Sequence, residues 1–337
     1  MIGLTKIAPG RENVGLTERP EAVAGAGQVV LDVEAAGICG TDLHIVDDEF
    51  RSWPPVTMGH EVCGVVAEVG EGVDPARVGE RVVSETYFST CGRCVYCRSG
   101  RRNLCPERRS IGSAVDGAFA PRVVVPAANL HRVPEALAPV AAALTEPLSC
   151  VCQCICDPDL VAPGDRVLVV GPGPVGLITA QVARSLGGEV HVRGLARDAI
   201  RLGKARELGF PTSIEGAFEK AFDVVVDCSG HEAGMTLCLE SGRRGGRYVQ
   251  IGLAGKPVTV PLDEVCFREL TVTGGNASTS TSWRRALALL EAATIDLGTL
   301  VSEVVPLADW ERAFAATRAA EGIKFVLDPR GATSDAG

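Results

Sequence analysis

The chain has 337 residues, of which 46% are hydrophobic and 22% charged, as is ordinary for a soluble globular protein of about two domains. Its formal net charge of −9 argues against a nucleic-acid-binding protein, since such proteins carry a basic surface. No apolar run reaches the roughly 20 residues of a membrane span, and the N-terminus lacks the features of a signal peptide. We therefore expect a cytoplasmic protein with reduced thiols that binds neither nucleic acid nor membrane.

The predicted elements fall into three stretches. From about residue 28 to 125, short β-rich runs alternate with turns and predict an irregular antiparallel domain. From about 150 to 275, strand-like runs such as DRVLVVG alternate with helical runs such as PVGLITAQVARSL, a pattern typical of βαβ units and a parallel sheet. The remainder predicts two helices and a closing strand, and the small polar tail at 331–337 is expected to be disordered.

Four cysteines lie close together in the run CGRCVYCRSGRRNLC. Four thiolates at this spacing can surround one tetrahedral Zn²⁺, and a site with four sulfur ligands leaves no position open for chemistry. Disulfides fit poorly, because cysteines this close form strained pairs and the chain carries no export signal that would indicate an oxidising compartment. We predict a structural zinc in a lobe at 88–108, bound by Cys91, Cys94, Cys97 and Cys105.

A glycine-rich turn follows the first strand of the middle stretch. Gly171, Gly173 and Gly176 match the pattern G-x-G-x-x-G between a predicted strand and a predicted helix. The first glycine permits the turn, the second lets the backbone approach a pyrophosphate, and the third lets helix and strand pack closely. Three glycines alone can simply make a tight turn. Inside a βαβ unit, however, they predict a dinucleotide cradle at the helix N-terminus, which includes Pro174 and Val175.

The end of the second strand in this stretch bears on the choice of cofactor. NAD sites usually carry Asp or Glu there, which binds the ribose 2′-hydroxyl. This chain has no carboxylate before Asp198, and Arg193 and Arg197 flank the strand end instead. An arginine without a nearby carboxylate suits a 2′-phosphate, which favours NADP over NAD. The alternatives are that Arg197 is a solvated residue at the helix start and that Asp198 serves NAD.

A second group of metal-ligand residue types lies in the first stretch. Cys39 occurs in ICGTDLH and His60 in TMGHEVCG, and Glu61 or Glu146 could add a carboxylate. Three protein ligands and one exchangeable position are typical of a catalytic zinc site. The residues alone do not establish that these side chains meet in space, since a single cysteine or histidine is often a packed core residue.

Five features of the chain, taken together, resemble the zinc-dependent medium-chain dehydrogenase/reductase family, close to its sorbitol, polyol and threonine dehydrogenase branch. They are, in chain order, ICGTDLH, GHE, the four-cysteine lobe, TEPLSC and GPGPVG. The resemblance covers nearly all of residues 1–328. It implies an α/β fold with a GroES-like β-barrel catalytic domain at 1–148, a doubly wound Rossmann cofactor domain at 149–274, and a return to the catalytic domain at 275–337. The active site is then expected in the cleft between the domains.

The resemblance also assigns roles to the residues of the second group. It implies that Cys39 and His60 bind a catalytic zinc, and that Glu61 or Glu146 ligates this zinc or holds its water. Asp42 resembles the carboxylate that orients the histidine ligand and tunes the metal. Two zinc ions per chain are therefore expected, one catalytic and one structural.

Further positions are assigned by the same resemblance. Thr41 resembles the hydroxyl that takes the proton of the substrate alcohol, and His44 resembles the outer member of the relay that carries this proton to solvent. The run at 227–230 and Gly252 resemble strand ends beside the nicotinamide. Lys324 resembles a basic residue that reaches the pyrophosphate.

These features predict a zinc-dependent oxidoreductase that transfers a hydride between a secondary alcohol and NAD(P). The resemblance favours a polyol, a sugar or a hydroxy-amino acid as the alcohol, and a homodimer or homotetramer as the assembly. A zinc-free enone or quinone reductase of the same superfamily would lack the cysteine–histidine pair. A non-enzymatic cofactor-binding protein would not need the proton relay, so the motifs disfavour both alternatives.

Overall fold

The computed structural model describes residues 1–216, 218 and 220–330, so the polar tail at 331–337 lies outside the described residues. The chain divides into two compact units. The first unit combines Met1–Glu146 with the chain from Leu297 onward, and the second unit is Pro147–Asp296. The first unit is thus built from both ends of the chain, whereas the second is one continuous segment.

The N-terminal part of the first unit consists of short strands and short helices. Its longest strands alternate buried and exposed residues only in part, because both of their faces are largely covered. The elements are β1 (Ile2–Lys6), β2 (Val14–Glu18), β3 (Gln28–Gly37), α1 (Gly40–Val46), β4 (Val56–Thr57), β5 (Glu61–Val69), β6 (Arg81–Ser84), β7 (Tyr87–Ser89), α2 (Val95–Arg98), β8 (Arg109–Ser110), β9 (Arg122–Pro126), β10 (Leu130–Arg132) and α3 (Pro139–Ala142).

The second unit alternates strands with helices, as the periodicity of its sequence predicts. Helix α4 begins in the last two residues of the first unit and continues into the second. The elements are α4 (Thr145–Ile155), β11 (Arg166–Val170), α5 (Pro174–Ser185), β12 (Glu189–Arg193), α6 (Ala199–Glu207), β13 (Thr212–Ser213), β14 (Phe222–Asp227), α7 (Glu232–Ser241), β15 (Gly242–Gln250), α8 (Asp263–Arg268), β16 (Thr271–Gly274) and α9 (Ser280–Glu291).

The strands of the second unit form a parallel sheet in the order β13-β12-β11-β14-β15-β16. The strand order reverses between β11 and β14, which is the topological switch point where ligands bind in open α/β sheets. The predicted doubly wound α/β fold is therefore confirmed. The switch point between β11 and β14 also marks the edge of the sheet at which a ligand site is expected.

The boundary between the second unit and the C-terminal part of the first differs from the sequence-based expectation. The return was predicted at 275, but it lies after Asp296. The reason is that α9 is tied to the second unit at both of its ends. Before the helix, the Thr279 hydroxyl donates to Gln153 Oε1 at 3.1 Å. After the helix, Asp296 N donates to Gln181 Oε1 at 2.8 Å.

The C-terminal part of the first unit completes the sheet begun by its N-terminal part. It contains β17 (Val301–Pro306), α10 (Trp310–Ala319) and β18 (Lys324–Asp328). Strand β18 pairs parallel to β17 and antiparallel to β3, which gives a mixed sheet in the order β10-β6-β5-β3-β18-β17, with β9 also paired to β3. Helix α10 packs onto the core through Phe314, whose ring lies 6.1 Å from that of the fully buried Phe119. Burial of such a side chain stabilises the fold by about 1.5–3 kcal/mol.

Candidate active site

Three side chains with metal-ligand chemistry come together in the first unit. Ligand atoms of Cys39, His60 and Glu61 all lie within 4.8 Å of one another. The topology explains this, because Cys39 follows the end of β3, Glu61 begins β5, and the two strands pair so that Gly37 faces Glu61. Glu146 lies in α4, is buried, and does not belong to this group. Its proposed place at the zinc therefore stays a prediction.

The donors of this group fit a zinc ion. They are a thiol, an imidazole and a carboxylate, and three protein ligands leave a fourth position for a substrate or water. Asp42 supports two of them, because its Oδ2 accepts a hydrogen bond from Cys39 N at 2.9 Å and its Oδ1 lies 3.5 Å from His60 Nδ1. Burial by itself lowers the pKa of His60, but the negative charge of Asp42 outweighs it and raises the pKa well above its usual range. Asp42 thus favours a positive charge at this position, as a ligand-orienting carboxylate does.

Lys324, which is predicted to reach the pyrophosphate, lies beside this group and pairs with Glu61. Its Nζ lies 2.6 Å from both carboxylate oxygens of Glu61, and the two side chains are 3% and 0% exposed. A buried ammonium needs such a partner, because an unpaired buried charge is strongly unfavourable. The pairing arises because β18 and β5 both flank β3. A Cβ added at Gly37 would lie 2.1 Å from Glu61 Oε2, so a larger residue there would displace this carboxylate.

The two residues predicted to relay a proton lie on α1, directly after Cys39. Thr41 and His44 are three positions apart and therefore share one face of the helix. Both are partly exposed, and His44 Nδ1 lies 2.6 Å from Glu49 Oε2. The end of α1 is anchored by the buried Lys6, whose Nζ donates to Val46 O at 3.0 Å. The helix thus places a hydroxyl and an imidazole, both partly open to solvent, directly after Cys39 of the metal group.

The four lobe cysteines form a second candidate metal group. Ligand atoms of Cys91, Cys94, Cys97 and Cys105 lie within 4.8 Å of one another, and the Cys91 and Cys97 sulfurs are 3.9 Å apart. This separation is about twice the S–S bond length, so the thiols are free. Backbone N–H groups donate to three of the sulfurs at 3.4 Å. The backbone N–H of Cys94 donates to the Cys91 sulfur, and this hydrogen bond is the main reason that the pKa of Cys91 falls to about 6. A backbone N–H of Cys97 favours the Cys94 thiolate, but burial and the neighbouring thiols outweigh it and raise the pKa of Cys94 to about 11. A zinc ion in the lobe would therefore have to displace a thiol proton, since the thiolate is the form that binds the metal.

The glycine turn of the second unit has the geometry expected of a phosphate cradle. Gly171 adopts a φ of 98°, and Gly173 precedes α5, whose first residue is Pro174. A Cβ at Gly176 would lie 1.9 Å from Gly171 O, so the close packing of turn and helix requires glycine there. Val175 follows in the first turn of α5. The free N–H groups at this helix end are aimed where an anion would bind.

A cavity of about 600 Å³ opens beside this turn. Its lining includes Gly171 and Gly173, the end of β12, the start of α6 and the loop after β14. Three arginines line it, namely Arg193, Arg197 and Arg201. Sequence reasoning missed Arg201, although a position one helical turn after Arg197 could have indicated it. Burial lowers the pKa of both Arg193 and Arg201, so an anion in the cavity would compensate charges that are partly removed from water.

Asp198 also lines the cavity, but its carboxylate has a partner. Its Oδ2 accepts a hydrogen bond from Leu195 N at 2.8 Å, in the turn that precedes α6. Gly252 lies near the same edge of the sheet, with its N–H donated to Asp227 O at 2.9 Å. The predicted cofactor residues other than Lys324 thus all lie at the carboxyl ends of the second unit's strands.

Comparison with known protein families agrees with the division of the chain into two units. Residues 25–135 match the alcohol dehydrogenase GroES-like domain, and residues 174–292 match the zinc-binding dehydrogenase domain. The predicted GroES-like domain is therefore confirmed. Within the described residues, no helix has the length and apolar character needed to cross a membrane.

Individual relatives cover almost the whole chain. A sorbitol dehydrogenase from Halalkalibacterium halodurans is 36% identical, over 98% of this chain and 99% of its own. A D-arabitol-phosphate dehydrogenase from Enterococcus avium is 32% identical, over 97% of each chain. The crystal structure of a putative zinc-binding dehydrogenase from Sinorhizobium meliloti, bound to NADP, superposes with a TM-score of 0.89 at 31% identity, over 97% of this chain and 99% of that one. The chain therefore belongs to the zinc-type medium-chain dehydrogenases, in their polyol and threonine dehydrogenase branch, and is a zinc-type alcohol or polyol dehydrogenase.

Proposed function

We propose that this enzyme transfers a hydride between a secondary alcohol of polyol, sugar or hydroxy-amino-acid type and NADP. The proposal rests on the close approach of Cys39, His60 and Glu61 in the GroES-like unit. The second unit of the same chain contains a glycine cradle and an arginine-lined cavity. The polyol class is supported by the two named relatives, a sorbitol and an arabitol-phosphate dehydrogenase.

Cys39 and His60 would hold the catalytic zinc, with Glu61 as a third donor when it is released from Lys324. A zinc ion bound there supplies Lewis acidity that lowers the pKa of the substrate hydroxyl, and the nicotinamide supplies the hydride acceptor. Asp42 keeps His60 oriented towards the metal. As the Thr41 hydroxyl accepts the proton of the alcohol, it would give up its own hydroxyl proton to the relay. His44, beside Glu49, would take up a proton on one ring nitrogen and release one to solvent.

The same proposal includes a second, structural zinc in the lobe. Four thiols within 4.8 Å and backbone donors to their sulfurs support it. Total metal content should then be two zinc ions per chain. Inductively coupled plasma mass spectrometry on the purified protein measures it directly.

NADP is the cofactor we propose, for three reasons. The end of β12 carries no carboxylate, Arg193, Arg197 and Arg201 line the cavity, and the carboxylate of Asp198 is engaged with Leu195 N. Arginine recognises a phosphate through charge-assisted, often bidentate hydrogen bonds. The Sinorhizobium relative, which was solved with NADP, gives independent support.

We further propose that the enzyme is a cytoplasmic homodimer or homotetramer. All thirteen cysteines lie within the described residues as free thiols, which suits a reducing compartment. Strand β16 ends its sheet, and its Val272 is 47% exposed, with Phe267 of α8 69% exposed. An open edge with apolar side chains favours pairing with a second copy. Sedimentation equilibrium tests the assembly.

The decisive experiment is a rate survey. Polyols, sugars, hydroxy-amino acids and simple secondary alcohols are each assayed with NADP and NAD at equal concentrations. The proposal predicts the highest kcat/KM for a polyol-type alcohol with NADP. Activity only with an enone or quinone and a reduced cofactor, in protein that contains no zinc at Cys39 and His60, would contradict it.

A further inference from the structure

Asp227, the last residue of β14, carries a fully buried carboxylate that belongs to neither metal group. Its Oδ1 accepts from Ser229 N at 3.2 Å and from Ser229 Oγ at 2.6 Å. Its Oδ2 accepts from Gly230 N at 3.0 Å and from Gln250 Nε2 at 2.7 Å. The Tyr248 hydroxyl donates to Gln250 Oε1, which turns the amide N–H towards the carboxylate. Four neutral donors thus satisfy a buried acid.

The backbone of Asp227 adds a second connection. Its carbonyl oxygen accepts from Ile251 N and from Gly252 N, both at 2.9 Å. One residue therefore binds the loop that follows β14 to the loop that follows β15. The two loops pack backbone against backbone, because a Cβ at Gly230 would lie 2.3 Å from Leu253 O and one at Gly252 would lie 2.3 Å from Gly230 N.

The first of these loops forms one wall of the cavity. Cys228, Ser229 and His231 line it, whereas Asp227 lies behind them and does not. The same loop presses on the glycine turn, since a Cβ at Gly171 would lie 2.8 Å from Ser229 N. Any movement of this loop therefore changes both the width of the cavity and the support of the turn.

We propose that Asp227 is a positioning residue for the dinucleotide. It locks the loops at 228–231 and 251–253 into one rigid wall, so that cofactor affinity depends on a carboxylate that does not line the cavity. The inference rests on the proposed role of this cavity as the dinucleotide site. An asparagine has the same shape as aspartate but turns an amide N–H₂ towards two of the four donors, so it breaks part of the network without removing volume.

The test measures the dissociation constants of NADPH and NADH by cofactor fluorescence for wild type, Asp227→Asn and the double variant Asp227→Asn/Gln250→Glu. We expect Asp227→Asn to weaken both cofactors by about tenfold or more, since two hydrogen bonds are lost and two donors are left unpaired. The cofactor KM should rise while kcat and zinc content stay near wild type. In the double variant the introduced asparagine can donate to the introduced glutamate, so affinity should recover in part.

Asp223→Asn is the matched control. Asp223 lies at the other end of the same strand and accepts from Arg166 N at 2.9 Å, so its loss should lower stability without changing cofactor affinity. Ser229→Ala serves if Asp227→Asn does not fold. It removes one of the four donors to Asp227 and also the acceptor of His231 N, and it should weaken cofactor binding by about threefold.

Each outcome decides something. If folded Asp227→Asn binds both cofactors as tightly as wild type, the inference is overturned and the proposed function stands. The same holds for Ser229→Ala if that variant has to replace Asp227→Asn. An equal loss of affinity in Asp223→Asn would also overturn it, because the effect would then be general destabilisation. A wild-type protein that binds neither dinucleotide would overturn the proposed cofactor together with the inference.

Discussion

The Nζ atom of Lys324 and the carboxylate of Glu61 lie 2.6 Å apart in the buried interior of the first unit, although 263 positions separate them in the chain. Glu61 also belongs to the candidate metal group, so a lysine and a metal ion have access to the same carboxylate. This competition leads to the first of our predictions.

Lys324→Met should destabilise the metal-free protein by about 3–5 kcal/mol, because it leaves a buried carboxylate without a counter-charge. Added zinc should restore part of this loss, since the metal then supplies the missing positive charge. Urea unfolding with and without a chelator measures both effects. Lys204→Met is the control, because Lys204 pairs with Glu207 at the surface and its loss should cost less than about 1 kcal/mol. Equal unfolding free energies for the two metal-free variants would refute the prediction.

Gly37→Ala should destabilise the protein by about 1–3 kcal/mol, because the new methyl group would overlap Glu61 Oε2. Gly15→Ala is the matched control, since a Cβ there has nothing within 4 Å and lies in the partly exposed β2. Thermal unfolding compares the two. A Gly37→Ala protein as stable as the control would mean that Glu61 can leave Lys324 without cost.

Cys97→Ser should lose one of two zinc ions and lower the free energy of unfolding by about 2 kcal/mol or more, because a structural metal contributes to folding directly. The group of Cys39 and His60 should keep its metal. Cys266→Ser, which changes an exposed thiol outside the lobe, should alter neither quantity. Metal analysis and melting temperature check both variants, and two zinc ions in Cys97→Ser would rule out the lobe site.

His60→Ala should abolish turnover while leaving the dissociation constant of NADPH within about twofold of wild type, a difference of less than 0.5 kcal/mol. The reason is that His60 belongs to the first unit and the glycine cradle to the second. His131→Ala is the control, because His131 lies 3.2 Å from Glu85 and outside the metal group, so this variant should retain turnover. If His60→Ala lost cofactor binding but kept its zinc, the assignment of metal and cofactor binding to different units would be contradicted.

Arg197→Ala combined with Ala196→Asp should shift preference from NADP towards NAD. Loss of the arginine should cost NADP binding about 1–3 kcal/mol, and the new carboxylate should accept from a ribose 2′-hydroxyl and repel a 2′-phosphate. Steady-state kinetics with both cofactors measure the shift. Arg206→Ala is the control, because Arg206 of α6 donates to Thr212 and is not among the residues that line the cavity. Its loss should leave kcat/KM for both cofactors unchanged. A wild-type kcat/KM for NAD well above that for NADP would show that Arg197 is only a surface residue.

Elements whose signals are local could be predicted from the sequence. The run DRVLVVGPGPVG combines a buried strand, a tight turn and a helix start within a dozen residues, so each part constrains the next. The structure has β11 and α5 at these positions. The four-cysteine lobe is local in the same sense, since its ligands come from one short loop.

Relationships that depend on strand pairing could not be predicted in this way. The contact of Lys324 with Glu61 follows from β18 lying beside β3, and the register of two strands so far apart in the chain leaves no trace in either segment. The unit boundary was misplaced for a similar reason. Helix α9 has the same amphipathic pattern whichever unit it packs on. Contacts such as those of Thr279, Arg285 and Asp296 assign it to the second unit.

The composition of the first unit from both chain ends has a consequence for biosynthesis. Residues 147–296 are contiguous, so the cofactor-binding sheet has all of its strands as soon as that segment has left the ribosome. The sheet that carries the metal group must wait for Lys324–Asp328, which are translated after that whole segment. A nascent or prematurely terminated chain would therefore present Glu61 without its lysine, and the cell would make an enzyme whose nucleotide site matures before its metal site.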